Sequence, residues 1–85
     1  MPYKNFSYDQ YTFVFKYDDE FPEHLHIYVR HLKNPEDAVE IWFEGEEEVW
    51  NAEFERYETS TETETVFWYW IEENKIVMII SCFDK

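Results

Sequence analysis

Between Tyr11 and Tyr17 the aromatic residues Tyr11, Phe13, Phe15 and Tyr17 alternate with Thr12, Val14 and Lys16. This period of two predicts a strand with one buried face. His24 to His31 repeats it, with Leu25, Ile27 and Val29 on one side and His24, His26, Tyr28 and Arg30 on the other. Asp18-Asp19-Glu20-Phe21-Pro22 reads as the loop between them, so a hairpin is expected. The period then changes. Asn34 has the chemistry of an N-cap and Pro35 suits the first helical position, while Glu36 and Asp37 sit where the helix dipole favours anions. Gly45 supplies the matching stop. On a helical projection Glu36, Asp37, Glu40 and Glu44 fall within an arc of about 100°, opposite Ala38, Val39, Ile41, Trp42 and Phe43. A strand here would put Ala38 and Trp42 on the same face as Glu40 and Glu44, so the helix is the preferred reading.

After Glu46-Glu47-Glu48 the alternation returns, with Trp50, Ala52 and Phe54 against Asn51, Glu53 and Glu55. That predicts a third strand, with a helix as the alternative. The run from Glu58 to Thr65 is rich in threonine, which favours extended backbone. As a strand it would carry Glu58, Ser60, Glu62 and Glu64 on one face and its four threonines on the other, continuing into Val66 to Ile71. A turn at Glu72-Glu73-Asn74-Lys75 leads into Ile76 to Phe83. These last two strands are apolar on both faces, so both faces need cover. The helix covers one, and a homodimer contact would cover the remainder. The expected fold is α+β, a mainly antiparallel sheet of about five strands with one short amphipathic helix packed on one face. With Gly45 the only glycine and no repeat or linker, residues 1–85 read as a single domain.

Composition sharpens this picture in two respects. At 85 residues the chain is near the size where burial only just exceeds the entropy lost on folding, but 22% aromatic residues give it a large apolar payload. The formal net charge is −13, and all of it lies between Glu36 and Glu73, where 14 acids face Arg56 alone. Such a field makes nucleic acid and anionic membrane poor direct partners and a basic protein surface a good one. No apolar run is long enough to span a bilayer, and no basic amino-terminal region precedes an apolar core, so a soluble protein is expected. A single cysteine, Cys82, forms no internal disulfide and fits a reducing, cytoplasmic setting. Its alternation with Met78 and Ile80 marks it as a small buried hydrophobe.

The strongest candidate for function is the acidic surface itself. Glutamates one helical turn apart are about 6 Å apart, and alternate strand glutamates about 6.7 Å, spacings comparable to the negative charges of a nucleic-acid backbone. Glu36, Glu40, Glu44, Glu46, Glu47, Glu48, Glu53, Glu55, Glu58, Glu62 and Glu64 are therefore the candidate partner-binding residues. The competing reading is that these charges only keep an aromatic-rich domain soluble. His24 and His26 would share one strand face and could begin a metal site, although two histidines alone are more often partly exposed strand residues. No glycine-rich phosphate loop, nucleophile elbow or Cys-x-x-Cys pair points to catalysis, and no cofactor is implied.

In overall character the chain is similar to phage inhibitors that mimic nucleic acid, anti-CRISPR proteins among them, and to acidic immunity proteins that neutralise basic nucleases. That resemblance implies a non-enzymatic, antitoxin-like or inhibitor-like protein that occupies the basic nucleic-acid-binding surface of a nuclease or defence complex. Two other readings stand beside it. One is a self-associating structural or accessory subunit using its aromatic strands as an interface; the other is a metal-dependent enzyme built on His24 and His26.

Overall fold

The computed structural model describes residues 3–85. Six strands form one mixed sheet: β1 (Tyr3–Tyr8), β2 (Tyr11–Lys16), β3 (Glu47–Asn51), β4 (Arg56–Ser60), β5 (Glu64–Glu72) and β6 (Ile76–Asp84). Two helices, α1 (His26–His31) and α2 (Pro35–Glu44), lie between β2 and β3 in the chain. The spatial order is β1-β2-β6-β5-β4-β3. All neighbours are antiparallel except β2 and β6, which pair in parallel with Phe13 opposite Val77 and Phe15 opposite Ile79. The fold is thus α+β, with one more strand and one more helix than the expected five and one.

Two strands are gained, β1 and one from the division of the expected strand through the threonine run into β4 and β5, and one is lost to α1. In β1, Lys4, Phe6 and Tyr8 pair with Phe15, Phe13 and Tyr11 of β2, and the hairpin closes through Asp9, which takes a positive φ of 58°. Asp tolerates that conformation better than most residues, so the turn forms without glycine. The additional helix is α1, and it replaces the expected strand at His24 to His31. The hairpin survives only as a single antiparallel bridge between Tyr17 and Leu25. Its loop is then captured by Asp18, whose carboxylate is 2% exposed and accepts hydrogen bonds from the Glu20 and Phe21 N–H groups. The same carboxylate holds His26 and Arg30, which are four residues apart and therefore meet on one helical face. Side-chain bonding to a buried carboxylate overrides the alternating pattern. Leu32, at φ 57°, ends α1 by donating its N–H back into the last turn.

Two further departures have the same kind of cause. The third strand is shifted to Glu47–Asn51 because Asn51 Oδ1 accepts from the N–H groups of Glu53 and Phe54, curling Ala52 to Glu55 into a turn. Glu55, at φ 52°, completes it. The threonine run is likewise not one strand: Thr61 Oγ1 accepts from the Thr63 and Glu64 N–H groups, and the chain reverses between β4 and β5. The turn at residues 72–75 and the following strand match expectation.

The core lies between α2 and one face of the sheet. Phe13, Phe15, Val66, Trp68, Val77, Ile79 and Cys82 point into it from the strands, and Ala38, Val39 and Ile41 from α2. Half-buried Trp42 packs against this core, with ring centroids 5.3 Å from Phe13, 5.3 Å from Trp68 and 5.0 Å from Tyr11, all edge-on. Trp68 Nε1 donates to Thr59 Oγ1 at 2.8 Å. Beyond Ile79, β6 has no pairing with β2, and α1 packs on β6 instead, inserting Ile27 into the core. Among the described residues no helix is long and apolar enough to cross a membrane.

Gly45 stops α2 as expected, but not through a left-handed conformation: its φ is −54°. It is required because a Cβ there would collide with the Thr59 methyl group, closing off the tight passage from α2 to β3. Gly45→Ala is therefore expected to destabilise the fold by about 1–3 kcal/mol. Thr59→Ser, which removes that methyl, should recover part of the loss in the double variant. Urea-denaturation midpoints check both, and a Gly45→Ala midpoint equal to that of the parent would contradict the steric account.

Candidate acidic docking surface

α2 begins with a capping box in which Asn34 N–H donates to Asp37 Oδ2 at 2.8 Å, with Pro35 in the first turn. Burial of Ala38, Val39 and Ile41 fixes the rotation of the helix, which turns Glu36, Glu40 and Glu44 to solvent. Across from α2, the Thr61-centred turn lifts Glu62 and Glu64 to the same side. The two walls enclose an open groove of about 650 Å³ whose rim carries Asp37, Glu40, Glu44, Glu46, Glu62 and Glu64. A second depression, on the other flank of α2, combines Asp9, Glu36, Glu40 and Glu44 with apolar Phe6, Tyr8, Val39 and Phe43. Glu40 and Glu44 thus form a ridge shared by both.

The cations are placed elsewhere. Lys33 lies at the end of the first groove but is committed: its Nζ donates to Glu64 Oε2 at 2.8 Å and to Asp84 Oδ1 at 2.7 Å. These two bonds hold its pKa above the ordinary lysine value. Among the described residues no ion pair involves Glu36, Asp37, Glu40, Glu44, Glu46 or Glu62. The groove therefore keeps its field, except at Glu64.

The candidate glutamates fall into groups. Glu36, Glu40, Glu44, Glu46, Glu62 and Glu64 gather around α2. Glu48 is on the same side of the sheet, in the edge strand beside Trp50. Glu53 and Glu55 lie in the β3–β4 turn, and Glu47 and Glu58 point from the opposite face. The face expected to join Glu58, Ser60, Glu62 and Glu64 does not exist, because the Thr61 turn separates the first two from the others. Glu58 is also occupied: its Oε2 accepts from Asn51 Nδ2 and Arg56 Nε, both at 3.0 Å, and these bonds hold its pKa below the carboxylate range against the effect of burial. Asp37 and Asp9 join the surface without having been candidates. The helical projection already placed Asp37 on the stripe, whereas nothing local in the sequence marks Asp9.

His24 and His26 do not share a strand face. His24 is an exposed loop residue near the Tyr28 ring, and His26 opens α1 with Nδ1 3.2 Å from Asp18 Oδ1. Among the described residues no group of three or more His, Cys, Asp or Glu is placed to hold a metal ion. Cys82 is fully buried, and burial pushes its thiol up to about 12, so it packs as a small hydrophobe. No protein-family model, curated protein or solved structure matches the chain. The fold class and the acidic groove are therefore what define it.

Asp18 is the buried titrating group on which α1 depends. Burial alone would raise its pKa, but the Glu20 and Phe21 N–H groups, His26 and the Arg30 charge outweigh burial and hold it below the ordinary value of 3.8. A carboxylate depressed in the folded state contributes stability above its unfolded pKa and loses it as pH falls through the folded one. Thermal stability is expected to hold through neutral pH and decline below about pH 4. Asp18→Asn should lower the melting temperature at pH 7 and reduce that acid-side slope; melting curves from pH 7 to pH 2.5 check this. An unchanged slope would assign the acid transition to other groups.

Proposed function

We propose that this chain is a non-enzymatic binding protein whose surface around α2 occupies a basic, nucleic-acid-binding surface of a nuclease or defence complex. The observation that carries the proposal is the groove between α2 and the Thr61 turn, where carboxylates that, Glu64 apart, have no cation partner among the described residues stand on two anchored walls. Glutamates one helical turn apart, at about 6 Å, supply the regular negative spacing that a phosphate-binding cleft accepts. The adjoining depression adds apolar floor beneath acidic rim, which suits the aliphatic stems of Lys and Arg as well as their charges. The docking segment narrows from the whole of 36–64 to α2, Glu46 and the β4–β5 turn. Glu47, Glu53, Glu55 and Glu58 contribute at most to the long-range field. A metal-dependent enzyme finds no support in His24 and His26, whose rings engage different neighbours.

Affinity capture from a host lysate, with DNA or RNA as competitor, tests the reading. The expected captive is a basic nucleic-acid-binding protein that nucleic acid displaces, with association that slows steeply from about 0.05 to 0.3 M salt. Glu40→Lys, Glu44→Lys and Glu62→Lys combined should abolish capture, whereas Glu53→Lys with Glu55→Lys should retain it. A captive that nucleic acid does not displace, or equal losses from both variants, would sink the mimic.

A further inference from the structure

On the flank of α2 that meets the β1–β2 hairpin, two aromatic side chains stand open to solvent beside carboxylates. Tyr8 and Phe43 are 55% and 41% exposed, and their rings meet edge-on with centroids 5.6 Å apart. Both are anchored: Phe43 is seated against Trp42 at 4.9 Å and Tyr11 at 5.9 Å, and Tyr8 is held in register opposite Tyr11. With Phe6 and Val39 they line a depression of about 590 Å³ whose rim carries Asp9, Glu36, Glu40 and Glu44. None of these four acids has a cation partner among the described residues. Lys4, the cation on the same face of β1, lines the neighbouring depression at Tyr17 and Pro35 instead.

The chain itself shows what such a combination holds. Arg56 lies with its guanidinium carbon 3.8 Å over the Phe67 ring and 4.6 Å from the centre of the Phe54 ring, while its Nε donates to Glu58 Oε2 at 3.0 Å. Aromatic rings take the face of the guanidinium and a carboxylate takes its edge. At Tyr8 and Phe43 rings and carboxylates again line one depression, but the cation has to come from another molecule. We propose that this depression is a socket for an arginine side chain of the protein partner. The inference rests on the acidic docking surface proposed above and names the residue type that its second depression selects.

Charge and hydration separate arginine from the other occupants. A second copy of this chain, or an apolar segment, would cover Asp9, Glu40 and Glu44 without compensating them, and uncompensated burial of carboxylates is costly. Lysine and arginine both answer the carboxylates. Only the guanidinium is planar and weakly hydrated, so it can lie on a ring while its N–H groups reach carboxylates in its own plane. Its aliphatic stem then covers Phe6 and Val39 on the floor. The same pairing serves the imitation of nucleic acid. Arginines in nucleic-acid clefts stack on bases as well as binding phosphates, so the two rings supply beside the helix glutamates the flat surface that a base would offer.

NMR titration of the isotope-labelled full chain with the capped peptides acetyl-Gly-Arg-Gly-amide and acetyl-Gly-Lys-Gly-amide tests the socket. The arginine peptide should bind about two- to fivefold more tightly than the lysine peptide, the ratio that an exposed cation–π contact supports. Its δ-methylene protons should give intermolecular NOEs to the Tyr8 and Phe43 rings. Tyr8→Leu and Phe43→Leu keep an apolar side chain and every carboxylate, so each should bring the arginine affinity down to that of lysine, with circular dichroism verifying the fold. Equal affinity of the parent for the two peptides, or an arginine preference that survives in Tyr8→Leu, would overturn the socket. A captive that nucleic acid displaces and that binds Tyr8→Leu as tightly as the parent would also overturn it, while leaving the docking surface standing. An arginine preference seated at Tyr8, together with a captive that nucleic acid does not displace, would uphold the socket and reject the mimic.

Discussion

The structure depends on the seating of one indole. Trp42 projects from α2 into a box made by Tyr11, Phe13, Trp68 and Trp70, joining the helix to β2 and β5 at once. Removing such a ring costs about 3–5 kcal/mol where it is fully buried; for the half-buried Trp42 even part of that is large beside the roughly 5–15 kcal/mol that a whole domain of ordinary stability possesses. Trp42 Nε1 is buried without a hydrogen-bond acceptor, so the ring is held by packing and ring geometry alone. Because α2 is a rigid rod, what fixes Trp42 also fixes Glu40 and Glu44 on the other side of it. Core and acidic ridge are the two faces of one helix.

Gathering like charges on one side of a small domain opposes folding, and the scarce cations show how the chain contains that cost. Arg30 and Lys33 are spent on internal joints: the first closes the Asp18 loop onto α1, and the second ties the α1–α2 connection to β5 and β6. Arg56 holds Glu58 on the far face. Each stabilises a junction at which chain direction changes. None is placed beside Glu36, Glu40, Glu44, Glu46 or Glu62, where it would have lowered the repulsion but also cancelled the field.

What the sequence reveals here follows from how local the determinants are. α2 is legible because its cap, its first-turn acids, its apolar stripe and its stop all lie within twelve residues, from Asn34 to Gly45. The β5–β6 hairpin is legible because two long apolar runs flank a short polar turn. α1 is not, because the group that makes it a helix, Asp18, stands eight residues before His26 and acts only once it is buried. The turns at Ala52 to Glu55 and Thr61 to Thr63 depend on single side-chain oxygens of Asn51 and Thr61 within stretches whose alternation favours continued strand. For the candidate site the consequence is specific. The helical half of the acidic surface could be read from spacing, whereas membership of Glu46, Glu62 and Asp9 required the turns, and exclusion of Glu47 and Glu58 required the register.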